Sequence, residues 1–386
     1  MHAVVIGGGV AGSASAIALA RIGADVTAYE AYPDPAGPTG SYVSLAVNGL
    51  RALDALGCLE AVQRAGFPVA RQLMWSGRGR LLGDVARGRR PEDTLHSVTL
   101  MRADLVTALR EEAVRSGARI VTGRRLTGPA DPLVAGADLV VGADGIWSAT
   151  RHELDPSAPE PRYAGIYSIS GSSEGSRVRI PVSREGFNWI FARRGVFIYL
   201  PAPGGSIWWT AQVASSAPPP DSAAVSAADL AEVFRTEDQA AAVLQAASGI
   251  RAANIGHVLA PATRRHNGTT VLIGDAAHPV GAGQGASIAL EDAVVLAGQL
   301  AAADGVAAGL AAFDRLRQPR AGKLAKTEAA NREAKTAGPV TTRMREVIMP
   351  HVFNRFYEKA TGWLYDYAPG SLPGRRTGRV AGESVG

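Results

Sequence analysis

The amino-acid sequence predicts an α/β protein in which a parallel-sheet domain is interleaved with an antiparallel-sheet domain and followed by a C-terminal helix. Residues 2–30 read as strand, glycine turn, helix and strand, and two more apolar strands end in the turns of "ADLVVGADG" and "TTVLIGDAAH". Residues 163–213 instead alternate β-branched and aromatic side chains with polar ones. Wholly apolar strands are typical of a buried parallel sheet, and alternation is typical of an antiparallel one. The 386 residues also exceed what one hydrophobic core usually holds.

The remaining elements follow in chain order. Helical spacing of apolar residues continues through 48–66, short strands and turns are expected from 67 to 98, and 101–123 reads as helix then strand. "SRVRIPVS" reads as a strand, an Ala-rich helical stretch is expected to end near Gly249, and a long helix should follow "GDAAH". The Gly/Pro/Arg-rich tail beyond Ala368 is expected to be flexible.

These elements predict a discontinuous domain organisation. The expected bounds are 1–70, 98–160 and 255–330 for the parallel-sheet domain, 71–97 and 161–254 for the antiparallel-sheet domain, 331–368 for a C-terminal helical segment and 369–386 for the tail.

The first motif that carries chemistry is Gly7-x-Gly9-x-x-Gly12, which lies between the first strand and the first helix. Gly7 permits a tight turn, Gly9 lets the backbone approach a pyrophosphate, and Gly12 allows the helix to pack closely on the strand. Glu30 ends the next strand, where a carboxylate accepts hydrogen bonds from a ribose. The pattern predicts a Rossmann-like dinucleotide site and leaves open whether the dinucleotide is NAD or FAD.

Composition and charge disfavour several other classes of protein. The net charge of +5 comes from scattered arginines without a basic block, which predicts no nucleic-acid partner. The seven histidines form no HxH or HxxxH pair, so no metal site is expected. The sequence shows no 20-residue apolar run and no signal pattern, which predicts a cytoplasmic protein without a membrane partner. The single cysteine, Cys58, is expected to be buried and structural.

Three ordered motifs resemble those of the single-component flavoprotein aromatic hydroxylases, the family of para-hydroxybenzoate hydroxylase, salicylate hydroxylase and the tetracycline-inactivating monooxygenases. They are the N-terminal glycine motif, "DLVVGADGIWSATR" and "LIGDAAHPVGAGQGASIALEDA". "MRADL" is similar to the family's arginine-bearing helix start and "WLYDYAP" to its usual ending, so the resemblance spans nearly the whole chain.

The resemblance implies a non-covalent FAD and a role for several residues. Arg102 would contact its phosphate or ribityl region, Asp275 its ribityl hydroxyls, and "GQGAS" the edge of its ring system, while Asp144 would hold the pyrophosphate-side structure and the NAD(P)H path. The positions assigned to FAD by the glycine motif and the resemblance together are Gly7, Gly9, Val10, Ala11, Gly12, Glu30, Ala31, Ser41, Val43, Arg102, Asp144, Gly274, Asp275, Gly283, Gly285, Ala286 and Ser287.

The sequence departs from the family beside the expected ring site. Only Pro279 and residues 280–282 separate His278 from "GQG", where relatives usually have about six residues, and Tyr42 and Val47 stand where many relatives have Gly and Pro. Either the oxygenation pocket differs from that of relatives or the loop after "GDAAH" is more mobile.

The weaker motifs in the sequence are also compatible with structural roles. The GxSxG pattern at Gly171–Gly175 lacks the helix that a hydrolase nucleophile needs, so Ser173 is not expected to be catalytic. His278 is expected to be structural, and Arg193-Arg194 to be a solvated hairpin pair. Candidate substrate-pocket residues, each with sheet core or loop packing as the alternative, are Phe191, Tyr199, Trp208 and Pro279.

The resemblance implies a monooxygenase that consumes NAD(P)H and passes one oxygen atom of O₂ to a small, aromatic or polycyclic substrate. FAD carries such chemistry while the protein orients the substrate and limits water. No second Rossmann fingerprint is present, so NAD(P)H is expected to bind transiently to a monomer or homodimer. The alternatives are a flavin-dependent dehydrogenase or reductase, and a flavin-containing protein that sequesters a small molecule.

Overall fold

The structure of the protein is a computed structural model that describes residues 1–34, 40–179, 182–183, 185–279, 283–335, 348, 350, 353 and 356–372. The strands in chain order are β1 (His2–Ile6), β2 (Asp25–Tyr29), β3 (Tyr42–Leu45), β4 (Phe67–Val69), β5 (Arg71–Ser76), β6 (Leu81–Ala86), β7 (Ser97–Met101), β8 (Arg119–Val121), β9 (Leu139–Gly142), β10 (Arg162–Glu174), β11 (Phe187–Ala192), β12 (Gly195–Pro201), β13 (Ser206–Ala214), β14 (Ala247–Val258) and β15 (Thr270–Leu272). The helices are α1 (Val10–Arg21), α2 (Val47–Ala55), α3 (Leu59–Ala65), α4 (Arg102–Arg115), α5 (Ala149–Leu154), α6 (Ala227–Val233), α7 (Asp238–Gln245), α8 (Gly285–Ala302) and α9 (Val306–Lys335), and residues 356–365 are also helical.

One part of the fold is built on a five-stranded parallel sheet with strand order β15-β9-β1-β2-β8. Both faces are covered, which is why its strands are apolar throughout. In β1, Ala3 and Val5 pack into the core formed with α1, α4 and α8, and Val4 and Ile6 pack on the opposite face against Leu126. The predicted α/β class with a Rossmann-like sheet is confirmed.

A second sheet of seven strands has the order β14-β10-β13-β12-β11-β5-β6. One face is covered by α6 and α7, where Phe234 packs with Phe197 and Trp209 in a core of aromatic and aliphatic side chains. A third, smaller sheet is antiparallel and has the strand order β3-β7-β4. The predicted second sheet is therefore present, but it is not wholly antiparallel, since β11 and β5, which are far apart in sequence, pair in parallel.

Two predicted elements are wrong. The helical stretch ends at Gln245 rather than near Gly249, and the Ala- and Gly-rich residues 247–258 form β14, which pairs with β10. Pairing to an available edge here overrides the weak strand propensity of the residues. In the segment read as a strand at "SRVRIPVS", residues 175–177 form a 3-10 turn, residues 178–179 and 182–183 are not in a strand, and residues 180–181 lie outside the described residues. β10 ends at Glu174 and both of its edges are already paired, so it offers this segment no free edge.

The predicted domain bounds remain predictions, but one element crosses them. β14 extends to Val258, so residues beyond the expected boundary at 255 belong to the seven-stranded sheet. Residues 280–282 of the shortened loop and 373–386 of the expected flexible tail lie outside the described residues.

Helix α8 is the central helix of the fold. Its 18 residues are long and apolar enough to cross a membrane by length and composition, but 61% of that window is buried against other parts of the protein. It packs on α1, α2 and α9. This is the burial pattern of a core helix, as expected for an element that follows the last strand of an α/β sheet.

The C-terminal residues close over α8 and α9. Leu364 and Tyr365 are buried with Val47, Ile288 and Leu324. Backbone carbonyls of this segment accept hydrogen bonds from arginines of two earlier helices: the Tyr365 carbonyl from Arg51, and the Leu364 carbonyl from Arg320 Nη2 at 3.1 Å. Asp366 also pairs with Arg90. The ending "WLYDYAP" is thus fixed to the body of the protein.

Candidate active site

The glycine motif forms a turn that only glycine fits at two positions. Gly7 has φ +108°, and a Cβ there would lie 2.4 Å from the Ala143 carbonyl oxygen. A Cβ on Gly12 would lie 1.8 Å from the Gly7 carbonyl oxygen and 3.3 Å from Val5 Cγ1. These contacts bring the start of α1 against β1, as the sequence predicted. At Gly9 the nearest atom to such a Cβ is Arg102 Nη2, at 3.6 Å, so this position is open on the side that faces the cavity described below.

Glu30 follows β2 and holds the glycine turn. Its buried carboxylate accepts hydrogen bonds from Gly8 N at 2.7 Å through Oε2 and from Tyr32 N at 2.9 Å through Oε1. The sequence placed this carboxylate beside the glycine turn, and the structure does the same. The sequence did not indicate that Glu30 also accepts a hydrogen bond from the Gly8 amide.

A cavity of about 640 Å³ lies between the carboxyl ends of the parallel strands and the open face of the seven-stranded sheet. Ligands of α/β proteins bind at this end of a parallel sheet. Eleven of the positions assigned from the sequence line it: Gly9, Val10, Ala11, Ser41, Val43, Arg102, Asp275, Gly283, Gly285, Ala286 and Ser287.

The other assigned positions support this lining from behind. Gly7, Gly12 and Glu30 shape the glycine turn, and Ala31 follows Glu30 without lining the cavity. Asp144 accepts hydrogen bonds from Ser148 Oγ at 2.5 Å and from Thr150 N and Oγ1 at 3.0 and 2.9 Å, which fixes the turn between β9 and α5.

Three helices begin at the cavity wall. α1 begins at Val10, α4 at Arg102 and α8 at Gly285, and each of these residues lines the cavity. A helix N-terminus carries unpaired N–H groups and partial positive charge. Together with the Arg102 guanidinium, this wall favours an anion such as a pyrophosphate.

Asp275 is the carboxylate of this wall. It stands in the 3-10 turn after β15 and presents an accessible side chain to the cavity. Desolvation by the surrounding protein raises its pKa above the ordinary value, and the positive charges of His278 and Arg102 oppose that shift. A carboxylate in this position accepts hydrogen bonds from hydroxyl groups of a ligand.

The donors and acceptors of the wall fit FAD. Ser287 lines the cavity, and its Oγ and Gln284 Oε1, one turn earlier, are buried without a hydrogen-bond partner among the described residues. Such orphaned polar atoms are uncommon in folded proteins and point to a polar ligand. The helix starts suit the pyrophosphate of FAD, and the Asp275 carboxylate suits the hydroxyl groups of its ribityl chain. The polar surface at the start of α8 suits the polar edge of its ring system.

His278 belongs to a buried charge cluster behind this wall. Its Nε2 lies 2.7 Å from Asp292 Oδ2, which also accepts a hydrogen bond from Gly274 N at 2.9 Å. Asp292 and Glu291 are in turn paired with Arg317, at 2.7 and 2.9 Å. The arrangement supports the structural role that the sequence suggested for His278, since it ties the Asp275 turn to α8.

None of the four predicted pocket residues lines the cavity. Tyr199 lies on the other face of the sheet, fully buried, with its hydroxyl donating to Gln239 Oε1 at 3.0 Å. Trp208 and Phe191 lie on the cavity side but beyond its edge, where Trp208 packs on Tyr42 and Phe67. Pro279 is half-buried and also absent from the lining. Strand alternation gives a side chain's face but not its distance along the sheet from a ligand.

The residues that form the sheet side of the cavity were mostly missed. They are Tyr42, Arg87, Phe187, Trp189, Ile198, Thr210 and Gln212, with Ser168, Ser170, Asn254 and His257 near them. Ile198 is adjacent to the predicted Tyr199, and Thr210 lies two residues after the predicted Trp208 on the same strand. The prediction therefore identified strands that line the cavity, but not the residues on them that reach it. Arg87 had no local signal in the sequence.

Tyr42, one of the departures from the family pattern, reaches this side of the cavity. Thr210 Oγ1 donates a hydrogen bond to its hydroxyl at 3.2 Å. Burial raises the pKa of Tyr42 to about 12, opposed by the Thr210 hydrogen bond and the positive charge of Arg87. The hydroxyl is therefore protonated at neutral pH and can donate a hydrogen bond to a ligand.

Other weak signals have structural roles. Ser173 lies in β10 and donates to the Val243 carbonyl at 2.6 Å, so it is not an exposed nucleophile. Arg193 and Arg194 are exposed in the β11–β12 turn, as expected. Cys58 is buried as predicted, and desolvation raises its pKa to about 12. Within the described ranges no group of three metal-ligating side chains is found.

Known proteins are similar to this chain in sequence and in fold. Residues 134–328 match the family described as FAD binding domain, and residues 5–56 match the NAD(P)-binding Rossmann-like domain. Kynurenine 3-monooxygenase of Salinispora arenicola (strain CNS-205) is 32% identical over 365 residues, which cover 86% of this chain and 79% of the relative. FAD-dependent urate hydroxylase of Klebsiella pneumoniae is 28% identical, covering 83% and 86%.

Solved structures agree with these relatives. A salicylate hydroxylase substrate complex superposes with a TM-score of 0.80 at 21% identity, covering 96% of both chains. Klebsiella pneumoniae HpxO complexed with FAD and uric acid gives 0.73 at 22% identity, again covering 96% of both chains. Identities this low show the fold.

The glycine turn, the helix starts and the cavity between two sheets define a flavoprotein of the Rossmann-like type. The chain belongs to the FAD-dependent aromatic monooxygenases. FAD as the cofactor and NAD(P)H as the reductant, both expected from the resemblance, are confirmed at the level of the family.

Proposed function

We propose that the cavity holds both reactants, with FAD on the helix side and a small aromatic or polycyclic substrate on the sheet side. The observation that carries this proposal is the composition of the one continuous cavity. Its helix side contains the three helix starts and Asp275, and its sheet side contains Phe187, Trp189 and Ile198. When bound, FAD supplies the transfer of electrons from NAD(P)H to O₂.

On the helix side, the assigned residues are proposed to bind FAD through the roles set out above. The start of α1 and Arg102 hold the pyrophosphate, Glu30 lies nearest the adenosine ribose, and Asp275 accepts from the ribityl hydroxyls. The start of α8 supplies N–H donors and the Ser287 hydroxyl to the ring edge. Support comes from the starts of α1, α4 and α8 and from Asp275, which all line one wall of the cavity, and from the buried Ser287 Oγ, which has no partner among the described residues.

On the sheet side, the chain is proposed to orient the substrate and limit water. The apolar rings and Ile198 lower the amount of water near the reacting atoms, while Thr210 and the protonated Tyr42 offer hydrogen bonds. A water-poor site also suppresses the waste of reducing equivalents as hydrogen peroxide. The balanced reaction consumes substrate, O₂, NAD(P)H and one proton, and yields hydroxylated substrate, NAD(P)⁺ and water.

Oxygen isotope labelling tests this function. Purified protein is expected to be yellow, with about one FAD per chain, and to incorporate one atom from ¹⁸O₂ into product when a phenol, quinone or polyketide panel stimulates NAD(P)H oxidation. Turnover without gas-derived ¹⁸O in the product would favour the dehydrogenase alternative. Binding of flavin and ligand without oxidation of NADH or NADPH would favour the sequestering protein.

We further propose a cytoplasmic monomer or homodimer that binds no membrane and no nucleic acid, with transient NAD(P)H binding. The scattered arginines and the burial of α8 within the fold support this. Light scattering during gel filtration measures the assembly state, and either a monomer or a dimer is expected.

A further inference from the structure

Tyr42 is one of two positions at which this chain departs from the family pattern beside the cavity. It is the first residue of β3, between Ser41 and Val43, and all three residues line the cavity. Many relatives have glycine at this position, so the tyrosine side chain is an addition to the cavity wall in this chain. The contacts of this side chain are therefore particular to this protein.

The side chain of Tyr42 joins two sheets across the cavity. β3 belongs to the three-stranded sheet, whereas Thr210, which donates a hydrogen bond to the Tyr42 hydroxyl at 3.2 Å, lies in β13 of the seven-stranded sheet. Thr210 Oγ1 is itself 2.8 Å from Ser170 Oγ in the neighbouring strand β10. The tyrosine ring also packs on Trp208, with the ring centroids 5.8 Å apart. The hydroxyl and the ring are thus both held, which fixes the position of the side chain.

Tyr42 also marks one end of the cavity. Thr210 lines the cavity, but Trp208, two residues earlier in β13, does not. Trp208 packs on Phe67 with the ring centroids 5.4 Å apart, and both rings are half-buried. The turn at 203–205, which precedes β13, is exposed. The Tyr42 side chain therefore stands between the cavity and an aromatic pair that is partly exposed to solvent.

The second departure, Val47, fastens the chain near the same end. Val47 is the first residue of α2, and its backbone N donates to the Gly88 carbonyl at 2.9 Å. Proline, which many relatives have here, has no N–H and cannot make this bond. Gly88 follows Arg87, which lines the cavity and whose positive charge acts to lower the pKa of Tyr42. Both departures thus add contacts to the same part of the cavity wall.

We propose that Tyr42 is a specificity-determining residue that closes one end of the cavity and so limits the length of the ligands that the site admits. With glycine at this position the ring would be absent, and the cavity would extend to Trp208 and Phe67. A longer ligand would have to displace the ring, which breaks the hydrogen bond to Thr210 and the contact with Trp208. The inference rests on the proposed function only for the identity of the ligand as substrate, and its test requires no turnover.

The test uses a small and a large thiol reagent on the FAD-loaded protein. The sequence contains one cysteine, Cys58, which is 1% exposed, so a thiol introduced in the cavity is the reactive one. Ile198→Cys places such a thiol below the Tyr42 side chain, because Ile198 lines the cavity and pairs with Thr210. Mass spectrometry measures the labelling rates with iodoacetamide, which is small, and with N-(1-pyrenyl)maleimide, which carries a large fused ring system.

Removing the Tyr42 ring should admit the large reagent selectively. The ratio of the pyrenylmaleimide rate to the iodoacetamide rate should rise about tenfold or more in the double variant Tyr42→Gly, Ile198→Cys relative to Ile198→Cys alone, because a steric barrier is removed. Tyr42→Phe in the same background should give a smaller rise, since the ring remains but its hydrogen bond to Thr210 is lost. Cys58 should stay unlabelled in every variant.

Leu81→Gly is the matched control. Leu81 is also the first residue of a strand, is 41% exposed and lies outside the cavity lining. Combined with Ile198→Cys, it should leave the ratio of the two rates unchanged. Gln212→Cys, at another lining position, replaces Ile198→Cys if that variant fails to fold or to bind FAD. FAD content should be equal in all the proteins compared.

A ratio that does not rise in Tyr42→Gly, including the case in which pyrenylmaleimide labels neither protein, would overturn the inference. So would an equal rise in Leu81→Gly or labelling of Cys58 in Tyr42→Gly, because either result shows a general loosening of the fold. Failure of the proposed function has a different signature, namely a labelling ratio that rises as expected in a protein from which no ligand gains oxygen from ¹⁸O₂.

Discussion

At the scale of single residues, Gly9 and Gly12 of the glycine turn lack a side chain for two different reasons. Gly12 is required by packing, because an added Cβ would lie 1.8 Å from a backbone oxygen. Gly9 is not, because the nearest atom to such a Cβ is 3.6 Å away, at ordinary contact distance. Since Gly9 lines the cavity, its missing side chain leaves room for a ligand instead.

This difference predicts opposite behaviour of two alanine variants. Gly12→Ala should lower the thermal midpoint of the apoprotein by several degrees, because α1 must move away from β1, and it should also weaken FAD binding. Gly9→Ala should leave the apoprotein midpoint within about one degree and weaken FAD binding by about tenfold or more. Thermal scans of apoprotein and FAD fluorescence titrations measure both. Equal destabilisation by the two variants would contradict this account.

At the scale of elements, α8 joins the ligand wall to the core. Its first turn lines the cavity, while Glu291 and Asp292 in its second turn are fully buried in the charge cluster with Arg317 and Arg320. The free N–H groups of the first turn therefore have a fixed position. In the proposed binding mode, negative charge that develops on FAD during reduction would be stabilised there by about 0.3–1 kcal/mol, and up to about 2 when partly buried.

Changing the first residue of α8 should therefore affect the flavin. Gly285→Val is expected either to reduce FAD occupancy, because the side chain enters the cavity wall, or to make the reduction potential of retained FAD about 5–45 mV more negative. Spectroelectrochemical titration measures the potential. Gly298→Val in the same helix is the control, because a Cβ there meets no atom within 4 Å. Full occupancy with an unchanged or higher potential in Gly285→Val would exclude this role of α8.

At the scale of the whole molecule, the buried charge cluster connects parts of the chain that are far apart in sequence. Arg320 donates to Glu291 at 2.7 Å through both Nε and Nη2 and to carbonyls of the C-terminal segment, and Asn48 Nδ2 donates to Glu291 at 2.7 Å. Desolvation acts to raise the pKa of Asp292, but the charges of His278 and Arg317 and the hydrogen bonds from His278 and Gly274 lower it well below its ordinary value. The ionised form is thus the one that stabilises the fold.

The sign of the pH dependence follows from this. A carboxylate whose pKa is lower in the folded state contributes fully above its unfolded pKa, about 3.9, and that contribution is lost as the pH falls further. Asp292→Asn should lower the free energy of unfolding by about 3–5 kcal/mol at pH 7, and this difference from the wild type should become smaller below about pH 4. Urea unfolding of both proteins at several pH values measures this difference in the free energy of unfolding. Asp304→Asn, at an exposed position between α8 and α9, should have little effect at any pH. A gap that widens in acid would refute the account.

The sequence by itself determined the features that depend on local order along the chain. The glycine turn, the apolar parallel strands, the start of α4 at Arg102 and the position of Asp275 after β15 are each set by neighbouring residues, so periodicity and motif spacing identify them. The same local information gave the family and its cofactor. It also identified strands that line the cavity, though not the residues on them that reach it.

Only the tertiary structure decided what depends on contacts between distant segments. β14 forms because β10 offers an edge, and the parallel pairing of β11 with β5 joins residues more than a hundred positions apart. Arg87, which follows β6, and Gln212, which lies in β13, line one cavity only after the sheet has assembled. Charge pairing in the buried cluster likewise has no sequence signal, because a residue's burial and its partner are properties of the folded chain and not of its local pattern.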